Sequence, residues 1–346
     1  MKNIILIFLS MIFIFDTFGQ DSQSLKELEK KSYLIYNEGV RLAADGNYTE
    51  AHTKFDECLF ILPEFALPYI ERAKIKILNQ EYDLALDDAN RAIEADEEAG
   101  EAFYIRGYLK LLMNSYQEAL TDFTRAIQKG YTNAEVYYFR GIMNFELQDY
   151  NSAMIDLTMA IDKEYDFAYA YNERASSKRM LGDFNGAIHD YNQALAYDST
   201  IVNAYDNRAA CKIKIGDFQG AIGDYTKAIK KDSDFYIAYN NRGQAYYLMT
   251  DYEKALRDFT KVIELNKDYA PGYNNAAITK IKMENYLGAE DDLDQAIKLN
   301  PEYAEAYMNR GYAKEFLGKF ESACSDWKMA KELGIEEAEK YITECE

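Results

Sequence analysis

The sequence predicts an all-α fold of stacked antiparallel helix pairs, and three columns of residues predict it. Steps of 34 residues from Gly243 land on Gly39, Ala73, Gly107, Gly141, Ala175, Ala209, Ala277 and Gly311, never on a large side chain. The same step from Ala255 lands on alanine every time, from Ala51 to Ala323. Three residues before each of those alanines stands an aromatic: Tyr48, Tyr82, Tyr116, Tyr150, Phe184, Phe218, Tyr252, Tyr286 and Phe320. Nine units therefore cover 32–337 without insertion or deletion, starting at 32, 66, 100, 134, 168, 202, 236, 270 and 304. Small residues let two helices approach closely, aromatics fill the space beside them, and one such unit cannot bury its apolar side alone.

Taken in order, the elements begin with residues 1–19, which read as a secretory signal peptide. Lys2 precedes an apolar run over 4–15, and small residues stand one and three places before a cut after Gly19. The alternative is an uncleaved anchor, but the run is short against the ~20 residues a span requires. Residues 20–31 are polar and form a tether or a helix extension. In each unit helix A is expected over positions 1–14 and helix B over positions 17–31, which in unit seven means 236–249 and 252–266. At the end of the chain, Ile335, Ala338, Tyr341 and Ile342 share one face, so 338–346 is expected to finish a C-terminal capping helix over the last pair.

The pattern resembles the tetratricopeptide repeat, a 34-residue helix-turn-helix with small residues at positions 8, 20 and 27 and large ones at 4, 17 and 24. The resemblance covers about nine tenths of the chain. It implies a right-handed superhelical α-solenoid whose inner, concave wall is formed by positions 2, 5, 6 and 9 of the A helices, and a role in holding other proteins. Three departures bear on local geometry. Ala89 occupies position 24, proline appears at position 32 only as Pro63 and Pro301, and position 15 is glycine only at Gly46, Gly182, Gly216 and Gly318.

Two further columns carry charge. Position 7 is arginine in seven units and position 23 is aspartate in eight, from Asp88 to Asp326. Unit one reverses both signs together, with Glu38 and Lys54, whereas pairing between neighbouring units would set Lys54 against Arg72. A salt bridge between helix A and helix B of the same unit is therefore expected, with Ala276 and Asp292 as its broken example. As exposed pairs, such contacts are expected to contribute ~0–1 kcal/mol each.

Composition restricts function. The formal net charge is -20, and the loss of Lys2 with Asp16 leaves it unchanged. Such a surface repels phosphates, so nucleic acid is not an expected partner. With 31 residues in signal and tether and 9 × 34 = 306 in the units, nine of the 346 remain, which is no room for a catalytic domain. His52 and His189 are the only histidines, and no phosphate loop or nucleophile elbow interrupts the repeats. No enzyme, small-molecule substrate, metal or cofactor is expected. Four cysteines show no metal-ligand spacing. Cys58 and Cys211 read as buried thiols, while Cys324 and Cys345 could join if the tail folds back in an oxidising compartment.

On the wall that the resemblance implies, the N-terminal half is aromatic and apolar, with Tyr36, Tyr104, Tyr108, Tyr138 and Phe139 as candidate binding residues. The C-terminal half is rich in amides: Asn172, Asn207, Asn240, Asn241, Asn274, Asn275 and Asn309. Asn207, Asn241, Asn275 and Asn309 repeat at position 6. They are similar to the asparagine ladder in the repeats of O-linked N-acetylglucosamine transferase, which holds an extended peptide by its main chain. An amide both donates and accepts, so it can pair with any peptide group. The alternatives are a soluble filler for the amides and packing against the adjacent helix for the aromatics. Acids on this wall (Glu71, Glu101, Glu135, Glu173, Asp206 and Glu305) outnumber the single base Lys74. The basic clamp of chaperone-docking members is missing, so an extended neutral or basic segment is the expected ligand. The competing expectation is a structural component of a cell-envelope complex, or a self-assembling array, that uses its convex face or its ends.

Overall fold

Every described element is helical or a turn. The computed structural model describes residues 26–345. The expected signal peptide over 1–19 and the first residues of the tether lie outside that range, and 26–31 form the start of the first helix. The chain divides into two compact units, the first ending at Tyr165 and the second beginning at Asp166. The first holds α1 over 26–44, α2 (Tyr48–Ile61), α3 (Ala66–Leu78), α4 (Tyr82–Ala95), α5 (Gly100–Leu112), α6 (Tyr116–Gln128), α7 (Ala134–Glu146) and α8 (Tyr150–Lys163). The second holds α9 (Ala168–Met180), α10 (Phe184–Tyr197), α11 (Val202–Lys214), α12 (Phe218–Lys231), α13 (Tyr236–Leu248), α14 (Tyr252–Leu265), α15 (Ala270–Lys282), α16 (Tyr286–Leu299), α17 (Ala304–Phe316) and α18 (Phe320–Glu332). Odd-numbered helices are the A helices of their repeats and even-numbered ones the B helices. No described helix is long and apolar enough to cross a membrane.

The small-residue columns set the spacing within each pair. A methyl on Gly243 would lie 2.8 Å from Phe259 Cε1, because the position-24 ring lies flat on the backbone of helix A. The alanines of position 20 are wholly buried in every repeat, so both helices present almost bare backbone where they cross. Ala89, the departure at position 24, is buried with Ile70, Ile105 and Leu109, which occupy the room a ring takes elsewhere.

The turns between helices A and B keep one conformation whatever residue occupies position 15. Its φ is positive at Gly46, Gly182, Gly216 and Gly318, and equally at Gln80, Asn114, Gln148, Thr250 and Glu284. Thr250 N–H donates to the Tyr247 carbonyl and Asp251 N–H to the Tyr246 carbonyl, which closes the helix with a left-handed residue. Aspartate or asparagine at position 16 then caps helix B: Asp251 Oδ1 accepts from Lys254 N–H, and Asp149, Asp183, Asp217 and Asn285 do the same in their repeats.

The charged columns pair inside every repeat that carries both partners, and in the seven arginine repeats the aspartate is buried. Arg208 Nε donates to Asp224 Oδ2 at 2.8 Å and its second amino group to Oδ1 at 2.6 Å, with Asp224 2 % exposed. The same fork joins Arg72, Arg106, Arg140, Arg174, Arg242 and Arg310 to the aspartate sixteen residues on. In repeat one the reversed pair also meets, with Lys54 Nζ 3.3 Å from Glu38. That pair is exposed, as expected. In the seven arginine repeats burial overturns the expectation of exposed pairs worth little, because removing one partner leaves an uncompensated charge inside the protein, at a cost of about 3–5 kcal/mol.

Two further contacts complete the network. A lysine at position 11, such as Lys212 at 2.7 Å from Asp224, reaches the same carboxylate. The remaining Arg208 amino group donates to Asn192 of the preceding B helix at 2.7 Å, and Arg72, Arg106, Arg242 and Arg310 each reach the corresponding residue of the repeat before. Burial alone would raise the Asp122 and Asp224 carboxyls, but their arginine and lysine partners outweigh it and hold both below the usual range. Asp292 is the contrast. Lacking an arginine, it is pushed up by burial, and Lys280 Nζ stands 2.6 Å from an Oδ2 that has no aligned donor.

After α18 the chain turns back over the last pair through Glu336–Ala338, α19 (Glu339–Ile342) and Thr343–Cys345, three short helical turns in place of one continuous helix. Ala338 and Tyr341 pack on Trp327, and a disulfide joins Cys324 to Cys345 across a Cα–Cα distance of 6.0 Å. Closing a loop of this length stabilises a fold by roughly 3 kcal/mol.

This architecture generates three predictions. Replacing Arg208 and Asp224 by alanine singly and together, with urea unfolding as the readout, should give a coupling energy of about 2 kcal/mol or more. The lowered carboxyls contribute stability that is present above the unfolded value near ~4 and lost as pH falls through the folded one. The wild-type protein should therefore lose stability below pH ~4 more steeply than the Asp224→Ala variant. Thr250→Gly should raise stability by about 1 kcal/mol, because a β-branched residue is strained at a φ of 61°.

Candidate functional site

The A helices present positions 5, 6 and 9 on one face, and each unit carries its own version. In the first unit the expected aromatics come together. Phe139 of α7 stacks on Phe123 with centroids 6.0 Å apart, meets Tyr108 at 5.2 Å and Tyr138 at 5.2 Å, and lies 6.3 Å from Tyr104. Tyr104 also packs on Tyr131 at 4.9 Å, a ring that sequence reasoning missed because it lies after helix B. Tyr36 is separate and contacts Phe55 and Phe65. The rings are half-buried, so they pack on neighbouring helices and still offer part of their surface.

Charge on this face is negative. Lys74, the single base, is held between Glu71 at 2.9 Å and Glu101 at 2.8 Å. The Tyr36 hydroxyl is pushed up to about 12 by burial and by the charge of Glu71, and Tyr104 is pushed up by burial, with Glu135 and Glu101 adding to it. Phenol and carboxylate groups thus share one surface. Such a surface attracts cations and repels anions.

In the second unit the expected amides form a ladder, but most of its rungs are closed. Asn241 Nδ2 donates to Asp206 Oδ1 at 3.1 Å, Asn275 to Asn240 at 2.9 Å and Asn309 to Asn274 at 3.0 Å. Position 6 of one repeat therefore bonds position 5 of the repeat before, and the amides join successive A helices. Asn240 and Asn274 are buried. The matching rung between Asn207 and Asn172 is not made: Asn172 Nδ2 turns to Glu173 at 2.9 Å, and its buried Oδ1 has no partner.

Sequence reasoning also missed Arg179. It stands at position 12 of its repeat, where Ile77, Leu111, Phe145, Ile213 and Ile281 stand in five others and Ala43, Tyr247 and Glu315 in the remaining three. A charge in this mostly apolar column, which Glu315 repeats, is a weak signal. The Arg179 Nε is buried without a hydrogen-bond partner. The same guanidinium bonds the Tyr191 hydroxyl, and its charge acts on that hydroxyl, on Asp206 and on Cys211, so it lies among them.

No group of side chains among the described residues has the makeup of a metal site. His52 pairs with Asp56 at 3.3 Å and His189 is exposed. Cys58 and Cys211 are buried free thiols.

Comparison with known proteins agrees with this architecture. Models of the tetratricopeptide repeat match residues 236–269 and 274–327, and a model of the TPR repeat matches 212–249. No curated protein matches the sequence. Among solved structures, the C-terminal part of a TPR repeat-containing protein from Cytophaga hutchinsonii is 22% identical over 69% of this chain and 99% of its own, with a TM-score of 0.58. A tetratricopeptide repeat protein from Parabacteroides merdae is 19% identical over 71% and 98%, with a TM-score of 0.55. YrrB, described as a TPR protein with an unusual peptide-binding site, is 23% identical over 53% and 95%, with a TM-score of 0.50. Their likeness is one of fold. Together with the nine-fold period and the helix pairs, these matches show that the chain belongs to the tetratricopeptide repeat family, whose repeats are scaffolds for protein–protein interaction.

Proposed function

We propose that this chain is an exported, non-enzymatic scaffold that binds an extended neutral or basic segment of another protein along the face of its A helices. The observation that carries the reading is Lys74: the only base at the wall positions is neutralised between Glu71 and Glu101, while Glu135 stands exposed with its charge acting on the Tyr104 and Tyr131 hydroxyls. A lysine or arginine of the ligand gains from both features, since aromatic faces and carboxylates each attract cations. An apolar side chain of the segment would rest on Phe139. The closed ladder changes the part expected of the amides. Their first donors already join A helices, so alanine at Asn241, Asn275 and Asn309 would loosen the stack as well as remove groove contacts.

Export rests on residues 1–19 and is supported by the Cys324–Cys345 disulfide, which suits the oxidising periplasm or cell envelope. A second reading, a component of an envelope complex that docks through its helix B side, is favoured by Phe60 and Ile155, which are 91% and 65% exposed.

Two measurements test these readings. Crosslinked capture from the envelope fraction should lose its partner at least tenfold with Glu101→Lys and Glu135→Lys together, and should keep it with Phe60→Ser and Ile155→Ser. The opposite pattern supports the second reading and sinks the first. Mass spectrometry of the protein purified from its native cells should show an N-terminus at Gln20, and an intact Met1 would overturn the cleaved signal.

A further inference from the structure

Repeat eight keeps the partners that an arginine has in the repeat before it, but not the arginine. In repeat seven Arg242 lies 5.5 Å from the centroid of the Tyr239 ring, forks onto Asp258 at 2.8 and 2.7 Å, and donates its last amino group to Thr226 Oγ1 of the preceding B helix at 3.0 Å. The same three residue types recur 34 residues on as Tyr273, Asp292 and Thr260, while Ala276 stands where the arginine would be. Among the described residues no cation lies over the Tyr273 ring, and Thr260 Oγ1 donates to the Leu256 carbonyl but accepts nothing. Asp292 Oδ1 takes no hydrogen bond either, since Lys280 stands at Oδ2.

These groups are open to solvent. The Asp292 side chain is 17% exposed, against at most 8% for the aspartates that face an arginine. Thr260 is exposed and lines an open cavity of about 610 Å³ along α14, together with Leu256 and with Met283 of the next repeat. Leu256 also packs on the cluster that holds Ala276, so the cavity adjoins the place of the missing side chain. Arg257 and Lys261 in its lining are offset by Glu253 and Glu264, and exposed Asp291 adds its negative charge to that of Asp292.

We propose that this place is a docking subsite, on the helix B side, for one arginine side chain of a partner protein, with Asp292, Thr260 and Tyr273 as its binding residues. It is separate from the A-helix face and stands or falls without it. A guanidinium is planar and carries paired N–H donors, so it can fork onto Asp292 while a further N–H meets Thr260 and its face lies on Tyr273, the set of contacts that Arg242 makes one repeat earlier. An ammonium group is a point charge without that fork and would only duplicate Lys280. Burial pushes the Asp292 carboxyl up because one lysine does not offset it, and a second cation brings it down again.

The test is a titration of the full mature chain, followed by the side-chain carboxyl 13C resonances of its aspartates and glutamates. The probes are three pentapeptides of glycine with arginine, lysine or citrulline at the centre, each capped by acetyl and N-methylamide so that no end group imitates the ligand. The arginine peptide should shift the Asp292 carboxyl saturably and bind at least fivefold more tightly than the other two. Citrulline keeps the shape without the charge, and lysine keeps the charge without the fork. Ala276→Arg, which restores the residue of the neighbouring repeats, should fill the place from within, raise the thermal midpoint and weaken the peptide at least tenfold. Asp292→Asn should weaken it as much. An equal response to the lysine or citrulline peptide, unchanged binding by the Ala276→Arg variant, or saturation by none of the peptides overturns the proposal. If the arginine peptide moves only the Glu101 and Glu135 carboxyls, the subsite falls while the A-helix reading stands.

Discussion

The fork between position 7 and position 23 is the contact on which the rest of each repeat depends. A carboxylate on helix B is taken out of water and met from three sides, by two nitrogens of an arginine and, in most repeats, by a lysine one turn further along helix A. Once it is buried, its partners cannot move away without leaving a charge unanswered. The arginine also lies over the aromatic ring at position 4 of its own helix, 5.5 Å from the Tyr205 centroid in repeat six, and its last amino group reaches the B helix before. One side chain therefore fixes the pairing of two helices and ties the pair to its neighbour. Repeat eight shows the consequence of losing it, since Asp292 keeps only a lysine and its carboxyl is driven up by burial.

Close backbone approach follows from the same geometry. Gly243 and Gly311 face Phe259 and Trp327 with no room for a methyl, and the wholly buried alanines of position 20 hold the crossing tight. With the pair so rigid, the outward side of helix A is free to vary, and it varies by unit. Aromatic rings and carboxylates occupy it in the first unit, and amides in the second. Both sets pack as well as line the face, which explains their partial burial. Phe139 packs on Phe123 and is half-buried, and Asn241, Asn275 and Asn309 bind their neighbours, with the Asn241 oxygen accepting from Asn240.

Some local features resisted reading because different residues satisfy one backbone requirement. The scarcity of glycine at position 15 suggested altered helix ends, yet Gln80, Asn114, Gln148, Thr250 and Glu284 adopt the same left-handed turn. Tertiary packing on both sides of the turn overrides the preference of the residue within it. The charged columns were visible as a pattern, and the joint reversal in Glu38 and Lys54 revealed their partners. Their burial was not visible, because it depends on how deeply the next repeat covers the pair.

The sequence by itself determined the number of repeats and the all-α class, through its period of 34, and the partner of each arginine, through the joint reversal of Glu38 and Lys54. The outward positions of the A helices came from the resemblance to a known repeat. Only the tertiary structure decided which outward groups remain available. Whether Asn207 meets Asn172 and whether Lys74 is neutralised by Glu101 depend on distances of a few tenths of an ångström between helices of successive repeats. Hydrogen bonds and ion pairs are steep functions of such distances, and no pattern of letters carries them.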